Sequence, residues 1–491
     1  MIADELSSSI CRQFDFAPTA EQEQAIRTFA SFMTDRDAHT AMIFRGSAGT
    51  GKTSIAAAIV KSLASLGQKM LLLAPTGRAA KVFSINSNHE ASTIHRRIYR
   101  ERSYSGVGRI FNLNTNMHTD TLFIIDECSM ISNGTGGESA FGSGRLLDDL
   151  IRYIYGGRNC RMLLIGDRAQ LPPVGEQESP ALSSTFMAGY GLKLYEYDLN
   201  EVLRQSQNSG ILYNATTIRT MITHDEHTLL PKIKLCGFAD ISIVTGDELI
   251  ESLASSYNEV GIDETIVIAR SNKRSNIYNR GIRNMVLGRE EELTAGDMLM
   301  VVKNKYLDYA PSPTSIQPVT ADRGISFIAN GDRACVRRVR NVRELYGFRF
   351  ADVALDFPDY DHFELDTTVI LDTLAAEAPA LTREQQEQLY NRVMEEDYGD
   401  ITVKTERIKK MKGNDYFNAV QIKYAYAITC HKAQGGQWAH VYLDQGYMTD
   451  EMLTPDYLHW LYTAFTRATE KLYLVNWPEA QTINHVSTPD R

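Results

Sequence analysis

The chain has 491 residues, of which 43% are hydrophobic and 23% charged, and its formal net charge is -10. That length allows about three or four domains at roughly 100–200 residues each, and no apolar run approaches the roughly 20 residues needed to cross a bilayer. The acidic, polar start MIADELSSSI does not read as a secretory signal, and six scattered cysteines with no C-x-x-C pair argue against a zinc ribbon, an iron–sulfur site or a disulfide framework, so the reduced cytoplasm is the expected location.

In chain order, short apolar runs of strand character recur: TAMIFRG (40–46), KMLLLAP (69–75), TLFIIDE (121–127), RMLLIGD (161–167) and LKLYEYDL (192–199). They are apolar on both faces and separated by helix-like stretches such as KTSIAAAIVKSLASLG, a pattern that predicts a parallel sheet covered on both sides. A second set follows with ETIVIAR (264–270), YAYAITC (424–430), HVYLD (440–444) and KLYLVN (471–476). The long insertion between them, 297–423, has a different texture. GDMLMVVKN and FIANGDRACVRRVRNV alternate like strands of a small barrel, and LTREQQEQLYNRVMEED reads as one charged helix. Gly, Ser and Pro content makes SNGTGGESAFGSG (132–144) and APSPTSIQPVTADRG (310–324) loops. Net acidity does not exclude a polyanionic partner, because a basic groove can sit on an acidic body. Strand binding would then rest on a few directed contacts and weaken with salt.

The stretch 46–53, GSAGTGKT, matches G-x-x-x-x-G-K-[ST] directly after an apolar strand and directly before an alanine-rich helix. Gly46, Ser47, Ala48, Gly49, Thr50 and Gly51 would turn their backbone amides toward phosphates, with the dipole of the following helix adding to the attraction. Lys52 would reach the β- and γ-phosphates and the Thr53 hydroxyl would ligate magnesium, so ATP and Mg2+ are the expected cofactors. The strand TLFIIDE ends in adjacent carboxylates, Asp126 and Glu127, at the edge where open α/β sheets carry ligands. Two neighbouring acids repel unless a cation is present; Asp126 suits the magnesium shell and Glu127 suits orienting or deprotonating an attacking water.

With APTGRAAK (74–81), STIH (92–95), LLIGDRAQLPPVG (163–175), LNEVLRQ (199–205), AITCHKAQGGQW (427–438) and LYTAFTRA (461–468) added in that order, the sequence resembles the superfamily 1B helicases, closest to their RecD/Dda-like branch. The resemblance covers nearly the whole chain. It implies an α/β fold of two RecA-like domains with small inserted 1B and SH3-like 2B domains. Domain 1A would occupy 1–200 with a pin-like insertion at about 96–120, domain 2A would be 201–296 together with 424–491, and 2B would be 297–423. The implied activity is ATP-dependent 5′-to-3′ translocation on single-stranded DNA and on tailed or forked duplexes, by a monomeric motor serving replication, repair or recombination.

Residue by residue, the resemblance makes Gln22 in TAEQEQAI (19–26) an adenine contact, with a helix-capping role as the alternative. Gln170 would sense the γ-phosphate, Asp167 would order its loop, Arg204 and Arg467 would be arginine fingers, and Gln434 and Gly435 would approach the nucleotide. Gln437 stands where many relatives carry a glutamate that contacts the sugar, which puts nucleotide stringency in question. DNA contacts fall on Pro75, Thr76, Gly77, Arg78, Thr93 and His95 in the first domain and on Thr429, His431 and Lys432 in the second. Such hydroxyls, amides and cations touch phosphates without reading bases. His95 is alternatively a satisfied core or turn histidine, Trp438 either stacks a base or packs in the core, 96–114 is a strand-splitting pin or a plain loop, and the basic run 333–343 meets phosphate or solvent. No sizeable extension precedes the adenine motif, so a stand-alone motor is expected. An RNA-directed motor of the same superfamily and an ATP-gated clamp or loader without unwinding remain the rival readings.

Overall fold

A computed structural model describes residues 2–14, 17–37, 39–105, 108–134, 141–202, 208–226, 228–307 and 327–483. The chain divides into two compact units, the first made of Met1–Ser103, Ile110–Gly246 and Ala433–Arg491, the second of Tyr104–Arg109 and Asp247–Lys432. Arg204, the loop 310–324 and residues 135–140 of the loop 132–144 lie outside the described residues.

The first unit is built on a six-stranded sheet. Its strands are β1 (Thr40–Gly46), β2 (Lys69–Ala74), β3 (Ala91–Thr93), β6 (Thr121–Ile125), β7 (Arg161–Gly166) and β8 (Lys193–Leu199), in the order β3-β2-β6-β7-β1-β8. Every neighbouring pair is parallel, with Met42 of β1 opposite Leu163 of β7. β1, β6 and β7 are buried along their whole length, as a sheet covered on both faces requires. Helices α1 (Ile2–Cys11), α2 (Ala20–Met33) and α3 (Lys52–Ser65) bury Ile10, Phe29, Phe32 and Ile59 in one core with Met42, Phe44 and Leu163. Because β6, β7 and β1 are adjacent, the residues after their C-terminal ends share one edge: Asp126 and Glu127, then Asp167, then the loop after Gly46. The 96–114 segment contains a two-stranded ribbon of β4 (Tyr99–Ser105) and β5 (Gly108–Leu113).

The same unit carries a parallel trio of strands, Ile241–Val244, Ala468–Val475 and Trp438–Asp444, in that order. The helix Pro455–Phe465 joins the last two. Thr454 caps it by accepting from the Tyr457 amide, proline occupies its first turn, and Leu458, Leu461 and Phe465 are buried along it.

In the second unit the strands Met298–Val301, Arg333–Leu345, Phe348–Phe357, Phe363–Ile370 and Val420–Tyr424 close a barrel. The charged helix Arg383–Glu396 opens with a capping box between Thr382 and Gln385 and sends Leu389 and Val393 into a core with Phe348, Phe350 and Met411. Strand Thr265–Ala269 pairs in parallel with Ala427–Thr429. The apolar run expected as one strand over 424–430 is therefore divided: its first residue ends a barrel strand, and after Ala425 and Tyr426 the chain enters the parallel pair. Among the described residues no helix is long and apolar enough to cross a membrane, and the six cysteines are free thiols.

Candidate nucleotide site

Between β1 and α3 the loop reverses with Gly49 at φ 77° and Gly51 at φ 84°, a left-handed geometry that only glycine adopts without strain. A Cβ on Gly46 would stand 2.8 Å from the Thr50 hydroxyl and 2.9 Å from Lys52 Cγ, so the close turn also depends on glycine there. The Ser47 carbonyl accepts from the Thr50 hydroxyl at 2.8 Å and from Lys52 Nζ at 2.9 Å.

Beside this loop lies a cavity of about 370 Å³ lined by Ser47, Ala48, Gly49, Gly51, Lys52, Thr53, Asp126, Glu127, Asp167, Gln170 and Arg467. Residues from four separated stretches of sequence thus face one space. Asp126 is pushed up to about 7, first by desolvation and then by the charge of Glu127, against the pull of the Glu127 amide and Lys52. The Glu127 amide donates to Asp126 Oδ1 at 2.8 Å, and Glu127 itself sits at φ 52°, a strained backbone for a non-glycine residue in this cavity. A recessed acid pair facing a lysine and a threonine hydroxyl fits a magnesium-bound triphosphate: the cation would relieve the carboxylate repulsion, and the curled amides would meet the phosphates.

Asp167 accepts from the Ala169 amide at 2.9 Å and so orders the loop that presents Gln170. Gln170 is buried and accepts from Ser129 at 3.4 Å. Arg467, 3% exposed, donates to the carbonyls of Thr463 and Gly436 and to the Thr466 hydroxyl, each at 3.0 Å. Gln434 does not line the cavity; its amide holds the Leu171 carbonyl at 2.7 Å. Gly435 is tucked against α4 (Gly77–Ser87), where an added Cβ would stand 3.0 Å from Ala79 Cβ. Gln22 closes a capping box with Thr19 and donates to the Thr50 carbonyl at 3.3 Å, so in this structure its amide caps α2 and braces the loop.

Of the residues expected to meet a strand, Thr76 and Thr93 accept from backbone amides as helix caps, and Arg78 donates to the Gln437 carbonyl at 2.5 Å with its guanidinium 4.8 Å from the Trp438 ring centre. Pro75 and Gly77 flank Thr76 at the end of β2. His95 lies edge-on to Phe141, ring centres 5.0 Å apart, and burial lowers its pKa to about 4, so it is neutral. Trp438 is buried. In the second unit Thr429 ends its strand, His431 is exposed, and burial lowers Lys432.

Sequence reasoning did not single out Arg219, which donates to the Ser47 hydroxyl and, at 3.0 Å, to Asn200. An arginine on an otherwise ordinary helix gives no signal of its own. Nor did it single out Tyr462, although the residue stands inside LYTAFTRA, because the motif pointed to its arginine.

A glycine-rich loop between a buried strand and a helix, facing two acids at the ends of neighbouring parallel strands, defines a P-loop nucleotide-binding protein. A family model described as an AAA domain matches residues 17–222, and one described as a UvrD-like helicase C-terminal domain matches 424–475. The ATP-dependent DNA helicase dda of Enterobacteria phage T4 is 24% identical over 314 residues, 62% of this chain and 66% of that protein. The ATP-dependent RecD2 DNA helicase of Deinococcus radiodurans is 32% identical over 145 residues, 30% of this chain and 18% of that protein. The matched region is thus just under two thirds of the first relative and under one fifth of the second. A Bacteroides Pif1 helicase solved with ADP-AlF3 and ssDNA shares 15% identity over 96% of this chain and 95% of its own, at a TM-score of 0.46. Over these stretches the chain is similar to superfamily 1B helicases of the RecD/Dda type.

Proposed function

We propose that the chain is an ATP- and magnesium-dependent DNA helicase or translocase that moves 5′ to 3′ on single-stranded DNA, as a monomeric motor in replication, repair or recombination. One observation carries the reading: Lys52, Thr53, Asp126, Glu127, Gln170 and Arg467 line a single cavity beside the glycine-rich loop. Both relatives are named ATP-dependent DNA helicases, which favours DNA over RNA.

In this reading Lys52 and the loop amides hold the β- and γ-phosphates, while Thr53 and Asp126 hold magnesium. Bound there, the cation supplies neutralising charge to the phosphate oxygens. Glu127 orients the attacking water and accepts its proton. Gln170 reads the γ-phosphate from a loop that Asp167 braces, and the guanidinium of Arg467 offsets the charge that develops on the transferring group. Arg204 would be the second such group. The strand contacts at 75–78, 93, 95, 429, 431 and 432, and the assignment of 1–200, of 201–296 with 424–491, and of 297–423 to domains 1A, 2A and 2B, belong to the same proposal.

Strand displacement on duplexes carrying a 5′ tail, a 3′ tail or an RNA strand tests it. Unwinding confined to the 5′-tailed DNA duplex is expected. Equal opening of the 3′-tailed duplex would refute the polarity, preference for the RNA strand would refute the substrate, and ATP hydrolysis without any displacement would point to a clamp.

A further inference from the structure

The helix Pro455–Phe465 grips the loop after β7 through three residues. Its His459, Tyr462 and Thr463 have the spacing that puts side chains on one helical face. His459 Nδ1 lies 2.9 Å from the Ala169 carbonyl, which only accepts, so that nitrogen carries the proton. The Thr463 hydroxyl accepts from the Leu171 amide at 2.8 Å. The Tyr462 hydroxyl donates to Asp167 Oδ2 at 2.6 Å and accepts from the Ala48 amide at 2.9 Å.

The oxygen that Tyr462 holds is the one that faces the P-loop lysine: Asp167 Oδ2 stands 3.9 Å from Lys52 Nζ, too far for a hydrogen bond. The Lys52 ammonium instead donates to the Ser47 carbonyl, a neutral acceptor that a phosphate readily replaces. Tyr462 is 1% exposed, and burial together with the charge of Asp167 raises its phenol well above the ordinary value, so it stays a donor. A nearly buried carboxylate deprived of this donor would turn to the lysine 3.9 Å away.

We propose that Tyr462 is a positioning residue of the nucleotide site: its hydroxyl saturates the Asp167 oxygen nearest Lys52 and fixes the Ala48 amide, leaving the lysine available to a nucleotide phosphate. The inference rests on the nucleotide-site reading above and deepens it, since it assigns a role in binding to a residue of the LYTAFTRA helix other than Arg467.

The test is equilibrium binding of a fluorescent, non-hydrolysable ATP analogue with magnesium, together with ATP turnover, for wild type, Tyr462→Phe, Asp167→Asn and the double variant. Loss of one charge-assisted bond should weaken binding by Tyr462→Phe about five- to tenfold, seen as a raised KM with a smaller change in kcat. Asp167→Asn keeps the acceptor for Ala169 but cannot capture Lys52, so, whatever its own affinity, the further loss caused by Tyr462→Phe should be much smaller in its background than in wild type. Wild-type affinity in Tyr462→Phe, or losses that simply add in the double variant, would overturn the proposal. If Tyr462→Phe does not fold, Tyr462→Met, which also lacks the hydroxyl, takes its place: the same loss is expected, and wild-type affinity refutes the idea. A wild-type protein that binds no analogue would instead refute the nucleotide site itself, and this inference with it.

Discussion

Replacing Arg467 by alanine separates a chemical role from a mechanical one. Its guanidinium is held by the buried carbonyls of Thr463 and Gly436 and by the Thr466 hydroxyl, so it fastens the end of the helix Pro455–Phe465 to the turn before Trp438. A buried acceptor left without a donor costs roughly 1–3 kcal/mol; the Thr463 carbonyl keeps the Thr466 hydroxyl as donor, so that loss falls on the Gly436 carbonyl. At roughly 2–4 °C per kcal/mol, the melting temperature of the first unit should fall by about 2–12 °C. Hydrolysis should fall further than the folded fraction does, because an arginine that stabilises the transferring phosphoryl contributes roughly 10³–10⁵ in rate. The assay pairs differential scanning calorimetry with strand-stimulated phosphate release and analogue binding, all well below the melting point. Arg467→Lys keeps the charge but cannot reach both carbonyls at once, so it should recover part of the stability and little of the turnover. An unchanged melting temperature in Arg467→Ala would mean that the bonds to Thr463 and Gly436 contribute nothing. Turnover within threefold of wild type would remove Arg467 from the chemistry, and equal loss of binding and turnover would make it structural only.

Lys52→Ala should abolish ATP hydrolysis, and substantial remaining turnover would place the reaction elsewhere. Deleting residues 103–108 should impair duplex opening more than strand-stimulated hydrolysis; unchanged displacement would show that this segment splits nothing. In the second unit, burial pushes Asp332 up to about 7 although Tyr360 and Ala329 both donate to it at 2.6 Å. From about pH 4, near the pKa of an unfolded aspartate, to about pH 7 the folded state holds a proton that the unfolded chain has lost, so stability falls as pH rises, at about 1.4 kcal/mol per unit at most. Asp332→Asn should flatten that slope in urea unfolding of the barrel, and an unaltered slope would assign it to another group.

The strand-loop-helix over 40–65 was legible because every level agreed: a run apolar on both faces, glycines where φ is positive, and an alanine-rich helix. The acids at 126 and 127 were legible for the same reason, since they close an apolar strand. Short elements were not. Ala91–Thr93 has three residues and Ile241–Val244 four, too few for a period to stand out, and they exist because longer neighbours offer them an edge. The run over 424–430 read as one strand because hydropathy is blind to a partner's direction; the break after Tyr424 comes from antiparallel pairing with Met298–Val301 on one side and parallel pairing with Thr265–Ala269 on the other. The pairings at Tyr462, Arg219 and Gln434 join residues far apart in sequence, and no local pattern announces them.

The passage from the barrel into the parallel pair has a mechanical consequence. Asn279 holds both sides of it, its amide nitrogen bound to the Tyr424 and Ala427 carbonyls and its oxygen to the Tyr426 and Ala427 amides, while the Tyr426 hydroxyl is locked between Asp297 and Arg289. The joint is therefore braced on both sides by side-chain hydrogen bonds. A shift of Val420–Tyr424 would be passed through these bonds to the strand that ends at Thr429.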